Sequence, residues 1–338
     1  MRVVLVRLSA LGDIVHTWPL AEAIRAANPN LHLTWVVEDA LAPLVDGHPA
    51  VDSVIAVASK RWRTAPFAAR TRAEIAALKT RFSELAPDLV IDAQGTAKSA
   101  AATRWTRAEK RIGLRRPWRR ELAAALAYTE TLSGAPGHRH VIATNLELVR
   151  AVGGRPPDVP TAPDGRWLLS PDRAESTSPS RPFAALLPGA GHPDKILPAI
   201  TLAEVSRHLI DRGLEAVVVW GPSEEGRANE IVELAGDGAS LAPPTGLREL
   251  AELLAASKLV VGGDTGPVHL AASLGVSTLA VFLTTDPVRN GPVGDRVAVV
   301  SGAAPGRGPR GSATTGRLRD VSANEICDAV DVLLTSPV

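Results

Sequence analysis

A chain of 338 residues with 45% apolar content is longer than one small core requires, so two domains of ordinary size are expected. Its net charge of +1 gives no global field for nucleic acid, and an anionic partner has to be met by local clusters of charge. The single cysteine, Cys327, excludes a disulfide framework and a cysteine-rich metal site, reads as a small packed side chain in a helix, and points to a cytoplasmic setting.

Met1–Arg7 reads as a strand rather than a signal peptide, because the apolar run at 2–6 is short and Arg7 interrupts it. No stretch approaches the ~20 apolar residues of a membrane span. The loop Leu8–Asp13 follows, in which Gly12 permits close approach of a ligand, and then a helical pattern through Ile14, Leu20, Ile24 and Ala27. Asp13 has two readings at this point. It is an N-cap worth roughly 1 kcal/mol, or a general base at the mouth of the first strand, and local sequence favours the cap.

Strands are expected at Leu31–Val37, Ser53–Val57 and Asp88–Asp92, with a helix at Ala73–Leu85 before the last of them. Alternation of this kind predicts a parallel, doubly wound α/β sheet. The Gly-x-Gly-x-x-Gly fingerprint is missing after the first strand, which argues against a nicotinamide enzyme. Two basic clusters lie in this half: Lys60-Arg-Trp-Arg63, and Arg104, Arg107, Lys110, Arg111, Arg115, Arg116, Arg119 and Arg120 with Trp105 and Trp118 among them. Such runs are commonly solvated faces, but arginine at this density equally suits a polyanionic acceptor.

A helix at Val141–Val152 ends at Gly153-Gly154, and the Pro/Ser/Asp-rich stretch 155–182 reads as an interdomain connection with a short strand at Trp167–Leu169. The expected organisation is a domain over 1–154, this linker over 155–182, a second domain over 183–321 and a final helix in 322–338. The second domain opens with a strand at Phe183–Leu187 and an anion-wrapping loop, Pro188–Lys195. A helix at Leu202–Arg212 and a strand at Ala216–Trp220 follow, then Glu224, placed either for ribose hydroxyls or for a helix dipole. After a helix at Leu247–Ala255 comes Lys258-Leu-Val-Val-Gly-Gly-Asp-Thr-Gly-Pro-Val-His-Leu-Ala-Ala-Ser273, a strand, a tight turn and a helix beginning near Pro267. The helix amides form a seat for a phosphate, with Asp264 and Thr265 as caps and His269 able to donate to a phosphate oxygen. A capped turn without ligand explains the same residues about as well. A strand at Thr278–Leu283, a loop at Thr284–Pro287, a flexible Gly/Arg-rich segment over 302–316 and a helix at Ser322–Leu334 with a Ser-x-x-Glu capping box complete the chain.

Taken together, Arg7–His16, Lys60–Arg63, Asp92–Ser99 and Gly263–Ala272 resemble glycosyltransferase family 9, in order and over nearly the whole chain. The resemblance is to its heptosyltransferases, and among them to those that add the first heptose of the lipopolysaccharide inner core. It implies a GT-B fold, two Rossmann-like domains facing across a cleft, with the C-terminal helix able to cross back to the first. It also implies inverting transfer of L-glycero-D-manno-heptose from ADP-heptose to the first Kdo of Kdo2-lipid A, with no metal and no cofactor, peripheral to the inner membrane. By the same resemblance Asp13 becomes the catalytic base. Lys195, Glu224, Asp264, Thr265, Gly266 and His269 bind the donor, while Lys60, Arg61 and Arg63 of a mobile loop, with Arg119 and Arg120, bind the acceptor. The chain departs from the family pattern at Ile196-Leu197 and Leu283-Thr284. A different acceptor, a GT-B-shaped sugar-nucleotide epimerase and a noncatalytic nucleotide-sugar binder are the rival expectations.

Overall fold

The computed structural model describes residues 1–137, 139–159, 161–170, 181–306 and 316–335. The chain forms two compact units, Met1–Thr161 and Ala162–Val338. The division therefore falls inside the stretch expected as a linker, whose residues 171–180 lie outside the described ones.

In the first unit the elements are β1 (Arg2–Val6), α1 (Leu11–Val15), α2 (Trp18–Ala27), β2 (His32–Glu38), β3 (Ser53–Val57), α3 (Ser59–Thr64), α4 (Ala69–Leu85), β4 (Leu89–Asp92), α5 (Ala97–Trp105), β5 (Lys110–Leu114), β6 (Glu130–Leu132) and α6 (Val141–Leu146). Among the described residues they build one six-stranded sheet in the order β3-β2-β1-β4-β5-β6, every paired strand parallel. Val4 and Val6 of β1 pack with Val36, Val90, Leu78 and Phe82 in a core closed by α4. Each such fully buried side chain contributes about 1.5–3 kcal/mol by leaving water.

The second unit contributes β7 (Phe183–Leu187), α7 (Ala199–Asp211), β8 (Glu215–Val218), α8 (Glu225–Ala235), β9 (Ala239–Leu241), α9 (Leu247–Ala256), β10 (Leu259–Gly263), α10 (Gly266–Ser273), β11 (Thr278–Phe282), α11 (Pro287–Asn290), β12 (Val297–Ser301) and α12 (Ala323–Thr335). Its sheet runs β12-β11-β10-β7-β8-β9, again parallel throughout. Numbered within each unit, both sheets have the order 3-2-1-4-5-6, so the chain reverses direction between β1 and β4 in one and between β7 and β10 in the other. Ligands of open α/β sheets bind at the carboxyl ends of the strands beside such a reversal.

Several local expectations are revised. The single helix after β1 is two, because the chain turns at His16–Thr17, where Thr17 Oγ1 donates to Asp13 O at 2.7 Å. Arg166–Leu168 is a 3₁₀ turn rather than a strand, and the basic stretch 104–120 contains β5. The 302–316 segment is anchored at its ends by an antiparallel bridge between Ala303 and Arg317, while its positions 307–315 lie outside the described residues. The capping box before α12 is present: Ser322 N donates to Glu325 Oε2 at 3.0 Å, and Glu325 N donates to Ser322 Oγ at 3.3 Å. Ile326, Val330 and Leu333 of α12 pack into the core of the second unit.

His48 makes the first unit sensitive to acid. Burial pushes its imidazole down to about 4, and Nδ1 accepts from Ala50 N at 3.1 Å. Glu22, 3.7 Å from Nε2, does not offset the burial. The folded state thus refuses a proton that the unfolded chain accepts below about 6.5, and stability is full above that value and falls as pH drops toward 4. Urea midpoints at pH 7.5 and pH 5 should differ, with a loss of up to about 3 kcal/mol from this residue by pH 4. A His48→Gln variant with an unchanged pH dependence would defeat the assignment.

Candidate active site

At the β1/β4 reversal, the loops after the two strands interlock. Arg7 is buried, 5% exposed, and its Nη2 lies 2.7 Å from Asp13 Oδ1 while Nη1 donates to Ala93 O. Leu8 N donates to Gln94 Oε1 at 2.7 Å. Asp92, at the end of β4, accepts from Gln94 N and Gly95 N, both at 2.9 Å, and from Tyr128 Oη at 2.8 Å, which fixes the turn that carries Ala93 and Gln94. Burial raises the Asp92 carboxyl above its ordinary range despite these donors.

Asp13 is not the N-cap of α1. Ala10 occupies that position, and Asp13, three residues on, accepts from Ala10 N through Oδ2 at 3.2 Å. Arg120 Nη1 stands 3.6 Å from the same oxygen. Burial pushes the Asp13 carboxyl up, but Arg7, Arg120 and the Ala10 N–H outweigh it and hold the group below the usual carboxylate range. A partly exposed carboxylate that stays ionised at neutral pH can accept a proton from a nucleophile brought to it.

Cations gather around it. Lys98 Nζ donates to Ser9 Oγ at 2.7 Å. Partial burial lowers the Lys98 ammonium, Glu38 acts against this, and Lys60, Arg120 and Arg63 lower it further, which places all four cations in one field. The expected mobile loop is the short helix α3, tied at its start by Glu38, which accepts from Lys60 N at 2.9 Å and from Ser59 Oγ. Glu74 secures its far side. Arg70, Trp62 and Arg61 donate to that carboxylate and hold it down to about 2. Arg61 is thus engaged with Glu74 and Asp39, whereas Lys60 and Arg63 are exposed. Arg119 folds back onto backbone, with Nε donating to Glu121 O at 3.0 Å, and does not join Arg120 at Asp13. The rest of the 104–120 basic run is dispersed by β5: Lys110 pairs with Glu130, Arg111 donates to Ala127 O, and Arg115 lies over the Trp118 ring.

At the β7/β10 reversal a second cluster forms. Lys195 Nζ donates to Asp264 Oδ2 at 2.6 Å, Thr285 Oγ1 donates to the same oxygen at 2.7 Å, and His269 Nε2 lies 3.7 Å from Oδ1. Burial raises the Asp264 carboxyl, but His269, Lys195 and Thr285 together hold it far below the ordinary range. Asp264 is therefore a hub rather than a cap, and His269 faces it where the sequence reading gave that imidazole to a phosphate oxygen. Thr265 is the N-cap of α10 without a side-chain cap bond, and α10 begins at Gly266. The positive end of the helix dipole lies beside the Lys195 ammonium, an arrangement suited to a diphosphate.

Glu224 lies at the start of α8, and its Oε2 accepts from Gly221 N at 2.8 Å. A Cβ at Gly189 would stand 1.8 Å from Glu224 Oε1, so only glycine leaves room for the carboxylate there. Arg227 was not singled out from sequence. Its Nε donates to Pro188 O at 3.1 Å and its Nη2 to Leu197 O, pinning both ends of the loop that carries Lys195. Arg7, Lys98 and Thr285 were missed as well; each sits inside a motif whose neighbours drew the attention. Among the described residues no three His, Cys, Asp or Glu side chains group as a metal site, and no helix is long and apolar enough to cross a membrane.

Two Rossmann-like sheets of one strand order are the GT-B architecture, and the family match below makes the chain a glycosyltransferase of that class. The sequence profile of glycosyltransferase family 9 (heptosyltransferase) matches residues 75–314, and the chain belongs to that family. It is 34% identical over 296 residues to lipopolysaccharide heptosyltransferase 1 of Pseudomonas aeruginosa, covering 87% of this chain and 82% of that one. E. coli heptosyltransferase WaaC with ADP superposes with a TM-score of 0.81 at 31% identity, over 98% of this chain and 100% of the other. The same E. coli protein with ADP-2-deoxy-2-fluoro heptose gives 0.78 at 31% identity, over 98% and 99%. Family membership removes the epimerase and the noncatalytic binder as rivals.

Proposed function

We propose that this enzyme transfers L-glycero-D-manno-heptose from ADP-heptose to the first Kdo of Kdo2-lipid A, inverting the anomeric carbon. The observation that carries the reading is the near-complete likeness to a heptosyltransferase solved with ADP and an ADP-heptose analogue, in a chain whose Lys195–Asp264 hub and α10 terminus suit a diphosphate. Asp13 takes the proton of the attacking Kdo hydroxyl. The hydroxyl oxygen bonds to the anomeric carbon, the bond from that carbon to the diphosphate breaks, and its electron pair leaves on ADP. Lys195 and the α10 amides offset the charge that develops there, Glu224 holds the ribose, and Asp264, Thr265, Gly266 and His269 shape the seat. No resident cofactor enters this scheme. Lys60, Arg63, Lys98 and Arg120 meet the lipid A phosphates and Kdo carboxylates, with Arg61 and Arg119 supporting them from their protein contacts. Incubation with ADP-heptose and Kdo2-lipid A, followed by mass spectrometry of the lipid, should show one added heptose. ADP release without a heptosylated lipid would overturn the acceptor.

Two further results are expected. Gly189→Ala should push the Glu224 carboxylate aside and weaken ADP binding roughly tenfold, the equivalent of losing one hydrogen bond to a charged group; unchanged calorimetric affinity would take Glu224 off the ribose. The basic face should also hold the protein at the cytoplasmic leaflet, so co-sedimentation with anionic vesicles should fall as salt rises. Salt-independent binding would contradict electrostatic docking.

A further inference from the structure

The buried guanidinium of Arg7 makes two directed contacts that the reaction scheme does not use. It is anchored at one end by the Ala93 carbonyl, and at the other it meets Asp13 Oδ1 at 2.7 Å. Its Nε, also buried, has no hydrogen-bond partner among the described residues. Trp35 Nε1 donates to Arg7 O at 3.1 Å, and Arg7 N donates to Val36 O at 3.1 Å, so the backbone that carries the side chain is fixed within the sheet. The other Asp13 oxygen differs. Among the described residues Oδ2 meets only the Ala10 N–H at 3.2 Å and Arg120 at 3.6 Å, and Arg120 is 64% exposed. One oxygen is thus clamped by an interior cation, and the other faces a cation that solvent or a ligand can draw away.

We infer that Arg7 is the positioning residue of the base, locking Oδ1 so that Oδ2 is the atom that receives the proton. A carboxylate turns about its last bond at small cost, and a fork held at both ends removes that freedom before substrate arrives. Burying a lone carboxylate would favour its neutral form; the paired guanidinium keeps it charged and ready to accept. The turn that presents Ala93 is itself set by Asp92 and by the Gln94 contact to Leu8 N, so the clamp is built from both loops of the β1/β4 reversal. The charged groups facing Asp13 are Arg7 from the end of β1 and Arg120 from the β5–β6 connection, with Lys98 of α5 behind Ser9. Arg7 alone among them is interior.

This inference rests on Asp13 as the base, and the experiment separates the two. Steady-state transfer is measured from pH 5 to 8.5 for the unchanged protein and for Arg7→Lys, Arg7→Gln and Asp13→Asn, with urea unfolding followed by circular dichroism reporting the folded fraction of each. Arg7→Gln removes the charge, so an acid limb should appear in kcat/KM within this range, where the unchanged protein is flat. Arg7→Lys keeps the charge and loses the fork, so kcat should fall roughly 10²-fold with KM near its original value and without the new limb. A merely structural residue would lower the folded fraction and leave both the pH profile and the turnover per folded molecule alone, which would overturn the inference. If Arg7→Gln does not fold, Arg7→Lys decides through kcat, and unchanged turnover sinks the proposal. An active Asp13→Asn instead rejects the base itself, whatever the arginine variants do.

Discussion

Replacing Asp13 with Asn should lower heptosyl transfer roughly 10²–10⁴-fold per folded molecule, with ADP affinity unchanged. Asn still accepts from Ala10 N–H, so the start of α1 is kept, but it cannot take the proton. The Arg7 contact adds a cost that a simple cap does not carry. With its one oxygen turned to the Ala10 N–H, Asn presents its amide nitrogen to Arg7 and leaves that buried cation uncompensated, and a stability loss of about 1–3 kcal/mol is expected beside the kinetic effect. The pH profile of the unchanged protein follows from the same contacts. Because Arg7 and Arg120 hold the carboxyl below its ordinary range, the base stays ionised, and rate is lost only as pH falls through that depressed value. Asp13→Asn retaining most of the transfer rate would reject the assignment and send the search to His16, the next residue along the same turn.

Lys195→Ala should weaken ADP and ADP-heptose binding by about 10- to 100-fold, the cost of one charge-assisted contact of 1.5–3 kcal/mol. It also removes one of the three groups that keep Asp264 ionised against its burial. The direction of that second effect is fixed. A carboxyl with a depressed folded value contributes stability that starts to be lost as pH falls through its unfolded value and is gone below the folded one, so losing Lys195 lessens that contribution and raises the pH at which the loss is complete. Calorimetry at neutral pH and urea unfolding in acid read the two effects independently. Full ADP affinity in Lys195→Ala would remove this lysine from the diphosphate.

The fold was readable because buried parallel strands leave continuous apolar runs, as in Val3–Val6 and Leu259–Val261, and because glycine and proline punctuate the turns. Four strands escaped: β5 is Lys-Arg-Ile-Gly-Leu and reads as part of a basic run, β6 and β9 are three residues each, and β12, Val-Ala-Val-Val-Ser, went unassigned although its run is apolar. Asp13, Lys195, Glu224 and Asp264 were singled out from motif position, and the structure places Asp13 in one polar cluster and Lys195 with Asp264 in another. Their partners were not. Arg7 to Ala93 and Lys195 to Asp264 are long-range contacts that only the strand order creates. Arg61 and Arg119 show the converse: a basic residue in a basic run looks available until Glu74 or the Glu121 carbonyl is seen to hold it. Likewise, Asp264 looked like a cap because it stands one residue before the N-cap Thr265, and its side chain turned out to be committed to Lys195 and Thr285.

The closing of each polar network within its own sheet has an evolutionary consequence. Arg7, Asp13, Ala93 and Gln94 depend on one strand reversal, and Lys195, Glu224, Arg227, Asp264 and Thr285 on another. Each set closes through bonds of its own, so selection can alter one without unsettling the other.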